Sequence, residues 1–135
     1  MPPIPGTETI LVIDDERLIL SLTHAMLMRH GYTVLTAISS TEAIQLFENW
    51  PAIEVDLMLV DLMMPGINGP EVVKRIHQLR PEIPVLFFSA YSEYDVLRPL
   101  FARGVPFLAK PFSSLQLVNK IREVVDAPKA DAAGE

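Results

Sequence analysis

The amino-acid sequence predicts an α/β protein in which one five-stranded parallel sheet is covered by helices on both faces. Three observations favour this fold class. Short apolar runs alternate five times with longer stretches of helical periodicity. The run at residues 57–60 is apolar without alternation, which is typical of a parallel strand buried on both faces. Polar residues directly follow four of the runs, as they do where parallel strands end at a ligand-binding edge.

The predicted strands are the short apolar runs that stand between helical stretches. They cover residues 10–13, 32–37, 57–61, 85–88 and 106–109. The second run contains two threonines and is more polar than the others. We therefore expect it to be an edge strand of the sheet.

Five helices are predicted after these strands, approximately over residues 17–30, 39–50, 70–80, 92–104 and 113–125. Ser39 with Glu42, and Ser113 with Gln116, have the spacing of capping boxes. Pro70 suits the first position of the third helix. A proline inside residues 92–104 removes a helical hydrogen bond, so we expect the fourth helix to be short or kinked.

The first helix is expected to be capped by the acidic residues 14–16, whose charge favours the positive end of the helix dipole. Gly31 is well placed to end it in a left-handed conformation. Apolar residues three and four apart predict its buried face, which we assign to Leu18, Leu22, Ala25 and Met26. The same spacing assigns Val72, Val73, Ile76 and Leu79 to the buried face of the third helix.

Length and composition limit the class of protein. The chain has 135 residues, half of them apolar and 21% charged, which is typical of one globular domain. We predict a loose segment over 1–8, the domain over 9–125 and a flexible tail or linker over 126–135. The net charge of −6 argues against DNA binding. The sequence shows no cysteine, no signal-peptide pattern and no apolar run long enough to span a membrane. We therefore expect a soluble cytoplasmic protein that binds no membrane.

The polar residues at the strand ends carry the candidate chemistry. They are Asp14 and Asp15 after the first strand, Asp61 at the end of the third, Ser89 after the fourth and Lys110 after the fifth. Three neighbouring carboxylates repel one another unless a cation lies among them or some are protonated. Since these motifs contain neither histidine nor cysteine, the oxygen donors favour Mg²⁺, with Mn²⁺ as a substitute ion.

These motifs, in this order and spacing, resemble the receiver domain of two-component response regulators over about residues 9–125. The segments that carry the resemblance are Val-Ile-Asp-Asp-Glu at 12–16, Leu-Val-Asp-Leu-Met-Met-Pro-Gly at 59–66, Ser-Ala at 89–90 and Lys-Pro-Phe at 110–112. The resemblance implies the flavodoxin-like receiver fold with strand order 2-1-3-4-5. It also implies a cis peptide bond before Pro111.

The resemblance implies that Asp61 accepts a phosphoryl group from the phosphohistidine of a histidine kinase or a histidine phosphotransfer domain. Asp15 and Asp61 would bind Mg²⁺ directly, Asp14 largely through water, and the backbone carbonyl of Met63 would complete the protein ligands. Catalysis of any other reaction is not expected, apart from Mg²⁺-dependent self-phosphorylation and dephosphorylation.

Further residues receive roles by the same resemblance. Ser89 and Lys110 would contact the phosphoryl oxygens, and Phe107 would rotate inward as Ser89 moves. Met63 and Tyr91 stand where the family tunes the phosphate lifetime. Neither side chain readily orients an attacking water, so we predict slow self-dephosphorylation.

The expected partner surface consists of the fourth helix, the fifth strand and the fifth helix, and a homodimer through this face is one possibility. The segments 89–92 and 104–112 look especially like receivers at the carboxyl end of hybrid histidine kinases, while a single-domain receiver is the alternative.

Two other functions are less compatible with the sequence. A phosphohydrolase of the haloacid dehalogenase type needs a second aspartate where Met63 stands. A receiver-like module that is never phosphorylated typically lacks one of the acidic pair, the acceptor or the lysine, and all of these are present.

Overall fold

The computed structural model describes residues 7–90 and 105–127. Five strands and four helices lie within these two ranges. In chain order they are β1 (Thr9–Ile13), α1 (Arg17–Arg29), β2 (Thr33–Ala37), α2 (Ser40–Asn49), β3 (Leu57–Asp61), α3 (Gly69–Leu79), β4 (Val85–Ala90), β5 (Phe107–Lys110) and α4 (Ser114–Val125). The helix predicted over 92–104, Tyr91, and most of both predicted terminal segments lie outside the described residues.

The five strands form one parallel sheet with the order β2-β1-β3-β4-β5, which confirms the predicted strand order and the edge position of β2. The register aligns the carboxyl ends of the strands. Ile13 lies beside Val60, Asp61 beside Phe88, and Ser89 beside Ala109. The residues that end β1, β3, β4 and β5 therefore meet at one edge of the sheet.

The sheet separates two apolar clusters. One contains the buried side chains of α2 and α3, and the other contains those of α1 and α4. β3 runs between the clusters, and all five of its residues are buried. Each of its four apolar side chains contributes about 1.5–3 kcal/mol by leaving water, so the strand that ends in Asp61 is a rigid support.

The predicted buried face of α1 was wrong for most of its residues. The helix buries Leu20, Thr23 and Leu27, whereas Leu18 is 69% exposed and Leu22 is 48% exposed. The physical reason is that α1 carries apolar residues almost all round, so two stripes satisfy the same spacing. Packing against the sheet selects the second stripe. Of the first stripe, Met26 is half-buried and packs against the α1 and α4 cluster, whereas Leu18, Leu22 and Ala25 are exposed.

The capping box predicted for α4 is confirmed, and the one predicted for α2 is confirmed for its serine. The Ser39 hydroxyl accepts a hydrogen bond from the Glu42 N–H at 3.1 Å, and Ser113 with Gln116 forms a reciprocal capping box. In α2 the Glu42 carboxylate accepts from the N–H of Ile38, one residue before the cap. Both helices thus begin at the ends that the sequence indicates.

The other two helix starts agree with the predictions only in part. α1 begins at Arg17, as predicted, with Glu16 of the acidic segment at its N-cap. The Glu16 side chain makes no capping bond, and the Asp14 carboxylate accepts the Glu16 N–H at 2.9 Å. α3 begins at Gly69, with Asn68 as its cap, so Pro70 occupies the second position. Gly31 has φ of 92°, which confirms the left-handed end of α1.

Two large apolar residues are exposed at the far ends of α2 and α3. Trp50 follows the last residue of α2 and is 57% exposed. Leu79, assigned by spacing to the buried face of α3, is the last residue of the helix and is 49% exposed, so the buried stripe of α3 ends at Ile76. Within the part of the chain that the structure describes, no helix has the length and apolar character needed to cross a membrane.

Candidate metal centre at the carboxyl edge of the sheet

Three carboxylates meet where β1 and β3 end side by side. Asp14, Asp15 and Asp61 each offer one oxygen atom, and these atoms all lie within 4.8 Å of one another. Asp14 and Asp61 are buried, and Asp15 is exposed to solvent. The structure therefore brings together the three acidic residues that the sequence placed at the strand ends.

Lys110 brings a positive charge into the same cluster from the end of β5. Its Nζ lies 3.0 Å from Oδ2 of Asp14, 3.7 Å from Oδ1 of Asp61 and 4.0 Å from Oε1 of Glu16. It also lies 4.7 Å from the centre of the Phe88 ring. Burial lowers the pKa of Lys110, but the charges of Asp61 and Asp14 outweigh it and hold the pKa above its ordinary value. The ammonium is charged at neutral pH.

The charges and donor atoms of this cluster fit a divalent cation. Three carboxylates and one ammonium leave a formal charge of −2, which one such ion balances. All the side-chain donors are oxygens, which Mg²⁺ prefers, and the exposed carboxylate of Asp15 leaves the cluster open to water. Both oxygens of Asp14 already accept hydrogen bonds, from Glu16 and Lys110, so Asp14 is the least available direct ligand.

The remaining predicted residues lie around this cluster. Ser89 is fully buried in β4, one residue beyond the partner of Asp61 in the sheet. Met63 is 40% exposed, two residues after Asp61. Phe107 begins β5 and packs against the α2 and α3 cluster. Tyr91 lies outside the described residues. The peptide bond between Lys110 and Pro111 is cis, as the resemblance implies.

The β3–α3 loop, residues 62–68, is closed by backbone hydrogen bonds. The Leu62 N–H donates to the carbonyl of Phe88 at 3.1 Å, and the Gly69 N–H donates to the carbonyl of Leu62 at 2.9 Å. A Cβ on Gly69 would overlap the backbone carbonyl oxygen of Asp61 and crowd Cα of Leu62. The closed loop therefore depends on glycine at the start of α3.

Sequence reasoning missed two residues that hold this loop. One is Gly69, for which the Gly-Pro pair at a helix start is a usable signal. The other is Ser40, whose buried hydroxyl donates to the carbonyl of Ile67 at 2.6 Å. Because these partners are 27 residues apart, no local pattern indicates the contact.

Comparison with known families gives a match over most of the chain. Residues 10–122 match the family described as response regulator receiver domain. The chain is 33% identical over 129 residues to the sensor kinase CckA of Brucella abortus, covering 91% of this chain and 13% of that protein. It is 32% identical over 121 residues to the response regulator SaeR of Staphylococcus aureus, covering 89% of this chain and 51% of that protein. The chain thus spans about half or less of the length of these relatives.

Solved structures agree with this match. A response regulator receiver domain protein from Clostridium thermocellum superposes with a TM-score of 0.77 at 29% identity, covering 88% of this chain and 94% of that chain. The receiver domain of the hybrid histidine kinase CckA superposes with a TM-score of 0.70 at 32% identity, covering 85% of this chain and 96% of the other.

Proposed function

Because the chain belongs to the response regulator receiver domain family, we propose that Asp61 accepts a phosphoryl group from the phosphohistidine of a histidine kinase or a histidine phosphotransfer domain. The observation that carries this proposal is the cluster of Asp14, Asp15 and Asp61 with Lys110 at its edge. An acidic cluster with one partly buried ammonium fits the handling of a phosphoryl group, since the ammonium can neutralise its oxygens.

The same proposal assigns the metal ligands. Asp15, Asp61 and the backbone carbonyl of Met63 would hold Mg²⁺ directly, and Asp14 would act through water. When bound, the ion neutralises charge on the phosphoryl oxygens. The two hydrogen bonds that Asp14 already accepts support the indirect role.

The covalent step uses a carboxylate oxygen of Asp61. This oxygen forms a bond to phosphorus as the P–N bond of the phosphohistidine breaks, and the imidazole leaves with the bonding electron pair. Lys110 is suited to neutralise the phosphoryl oxygens because its ammonium is already beside Asp61. The Ser89 hydroxyl would move toward one of these oxygens and donate a hydrogen bond to it.

Signalling would follow from that movement. In this proposal Ser89 moves toward the phosphoryl group and Phe107 rotates toward the vacated space. Phe107 has no hydroxyl, so its two positions would differ in packing alone. Partners, including a second copy of the chain, would bind the face that contains β5 and α4, where α4 is the fifth of the helices predicted from the sequence.

The chain is about equally similar to a sensor kinase and to a response regulator, so the comparisons favour neither mode of attachment. The phosphohydrolase alternative is disfavoured by Met63, which supplies no acid or base two residues after Asp61. A receiver with no further enzymatic activity is the function that these residues fit best.

The proposal is tested by incubating the protein with acetyl phosphate and Mg²⁺ and measuring the intact mass. We expect an increase of about 80 Da in the wild type, since one phosphoryl group is added. Asp61→Asn should remain unlabelled, and so should the wild type in EDTA. As a matched control, Glu54→Gln alters an exposed carboxylate before β3 and should label normally. Labelling of Asp61→Asn, or steady hydrolysis of phosphate esters by the wild type, would contradict the proposal.

A further inference from the structure

The β3–α3 loop carries Met63, so the position of this loop decides where the Met63 carbonyl lies. Its two ends are joined to each other and to β4 by backbone hydrogen bonds. Near its far end, the carbonyl of Ile67 accepts a hydrogen bond from Ser40, the first residue of α2. A side chain from a different element therefore holds the loop next to the acidic cluster.

The hydroxyl of Ser40 is not needed for capping α2. The neighbouring Ser39 already accepts the N–H of Glu42, and the Glu42 carboxylate accepts the N–H of Ile38. Ser40 is 5% exposed, and a hydroxyl buried to this degree needs a hydrogen-bond partner. Its contact with Ile67 is short, at 2.6 Å, and links two elements 27 residues apart.

The contact also lies within a packed region. Ile67 is half-buried and packs against the same apolar cluster as Ala43 and Phe47 of α2. Gly66, directly before it, has φ of 80°, so the chain turns there in a conformation that favours glycine. The Ser40 hydroxyl thus fixes the loop where it returns from the acidic cluster to the core.

We propose that Ser40 is a positioning residue for the metal centre, which it supports by holding the β3–α3 loop through the carbonyl of Ile67. This inference rests on the proposed function, because it takes Met63 in the same loop as a Mg²⁺ ligand. In this inference Ser40 does not itself bind the ion. It acts by keeping the loop in the arrangement that the ion requires.

The test compares Ser40→Ala with Thr41→Ala. Both changes remove one hydroxyl from the first turn of α2, but Thr41 is exposed and Ser40 is buried. Mg²⁺ affinity is measured by calorimetric titration with magnesium chloride, well below the melting temperature. Hydrogen exchange of peptides covering residues 62–69 is measured without metal.

We expect Ser40→Ala to bind Mg²⁺ about threefold to tenfold more weakly, which corresponds to the loss of one hydrogen bond. Exchange in the loop should become faster by a similar factor, while exchange in β1 is unchanged. Thr41→Ala should match the wild type in both measurements. A purely structural role for Ser40 would lower the melting temperature without changing the affinity for Mg²⁺.

The possible failures are distinguishable. If the wild type binds Mg²⁺ and Ser40→Ala binds it equally well, the role of Ser40 is overturned and the proposed function stands. The role is overturned in that case even if the loop exchanges faster in the variant. If the wild type binds no Mg²⁺, the proposed function and the role of Ser40 at the metal fail together.

Discussion

At the scale of single residues, Lys110 is the charge that makes the acidic cluster stable without a metal ion. Replacing it in Lys110→Ala leaves the buried carboxylates of Asp14 and Asp61 without this ammonium. We expect the free energy of unfolding in EDTA to fall by about 2–3 kcal/mol, because breaking a partly buried ion pair leaves uncompensated charge. Excess Mg²⁺ should restore much of this loss, and urea denaturation with and without Mg²⁺ measures both effects.

Lys120→Ala is the matched control for this prediction. Lys120 pairs with Glu123 on the surface of α4, where an ion pair contributes about 0–1 kcal/mol. The free energy of unfolding of Lys120→Ala should therefore change little, and Mg²⁺ should affect this variant as it affects the wild type. An equal response of both variants to Mg²⁺ would show that Lys110 does not balance the acidic cluster.

The convergence of these residues could be predicted from the sequence, but their pairing could not. Asp14, Asp61 and Lys110 each follow an apolar run, and parallel strands end at one edge. Which carboxylate lies nearest the ammonium depends on side-chain positions that no strand pattern specifies. The structure places Nζ closer to Asp14 than to Asp61.

At the scale of elements, the start of α3 depends on the absence of a side chain at Gly69. In Gly69→Ala, the new methyl group would overlap the backbone of Asp61 and Leu62, which cannot move without displacing β3. We expect a loss of about 2–4 kcal/mol in the free energy of unfolding, at the upper end of overpacking effects. Thermal and urea denaturation of Gly69→Ala and the wild type measure this loss.

Gly66→Ala, in the same loop, provides the comparison. A Cβ there meets no atom within 4 Å, so the variant bears only the strain of a positive φ, about 1–2 kcal/mol. The larger loss should therefore belong to Gly69→Ala. If the two variants are equally stable, close backbone contact is not the reason for glycine at the start of α3.

The elements that the sequence predicted well are those with local signals. All five strands, the caps at Ser39 and Ser113, and the end of α1 at Gly31 follow from residues close in the chain. The buried face of α1 does not follow from residues close in the chain. Its apolar residues surround the helix, and only contact with the sheet decides that Leu20 is buried and Leu18 exposed.

At the scale of the whole molecule, a charged network joins the residues before β1 to the end of α4. The guanidinium of Arg122 donates to both carboxylate oxygens of Glu8, at 2.8 and 2.9 Å. It also bonds Asp126 and the hydroxyl of Tyr32. Glu8 and Arg122 are 114 residues apart, so no sequence pattern could have indicated this contact.

This network makes the free energy of unfolding depend on pH in the acidic range. The hydrogen bonds from Arg122 hold the pKa of Glu8 below its ordinary value of 4.5. The unfolded chain therefore binds the proton more tightly, and the contribution of Glu8 is complete above pH 4.5 and lost as pH falls through the lowered pKa. Glu8→Gln should reduce the free energy of unfolding by about 1 kcal/mol at pH 7, with the difference shrinking below pH 4.5.

Urea denaturation across this pH range measures the difference between Glu8→Gln and the wild type. Glu48→Gln, which alters an exposed carboxylate of α2, serves as control and should follow the wild type at every pH. A constant difference between Glu8→Gln and the wild type down to strongly acidic pH would mean that the charge of Glu8 is not what stabilises the fold.

The exposed end of α2 has a practical consequence for spectroscopy. Trp50 is the single tryptophan of the chain, and about 15 Å of helix separates it from Ser40 at the other end of α2. Its indole is already largely hydrated in the folded protein. Intrinsic emission is therefore a weak reporter both of denaturation and of events among the aspartates. A fluorophore placed near the β3–α3 loop would observe what the natural one does not.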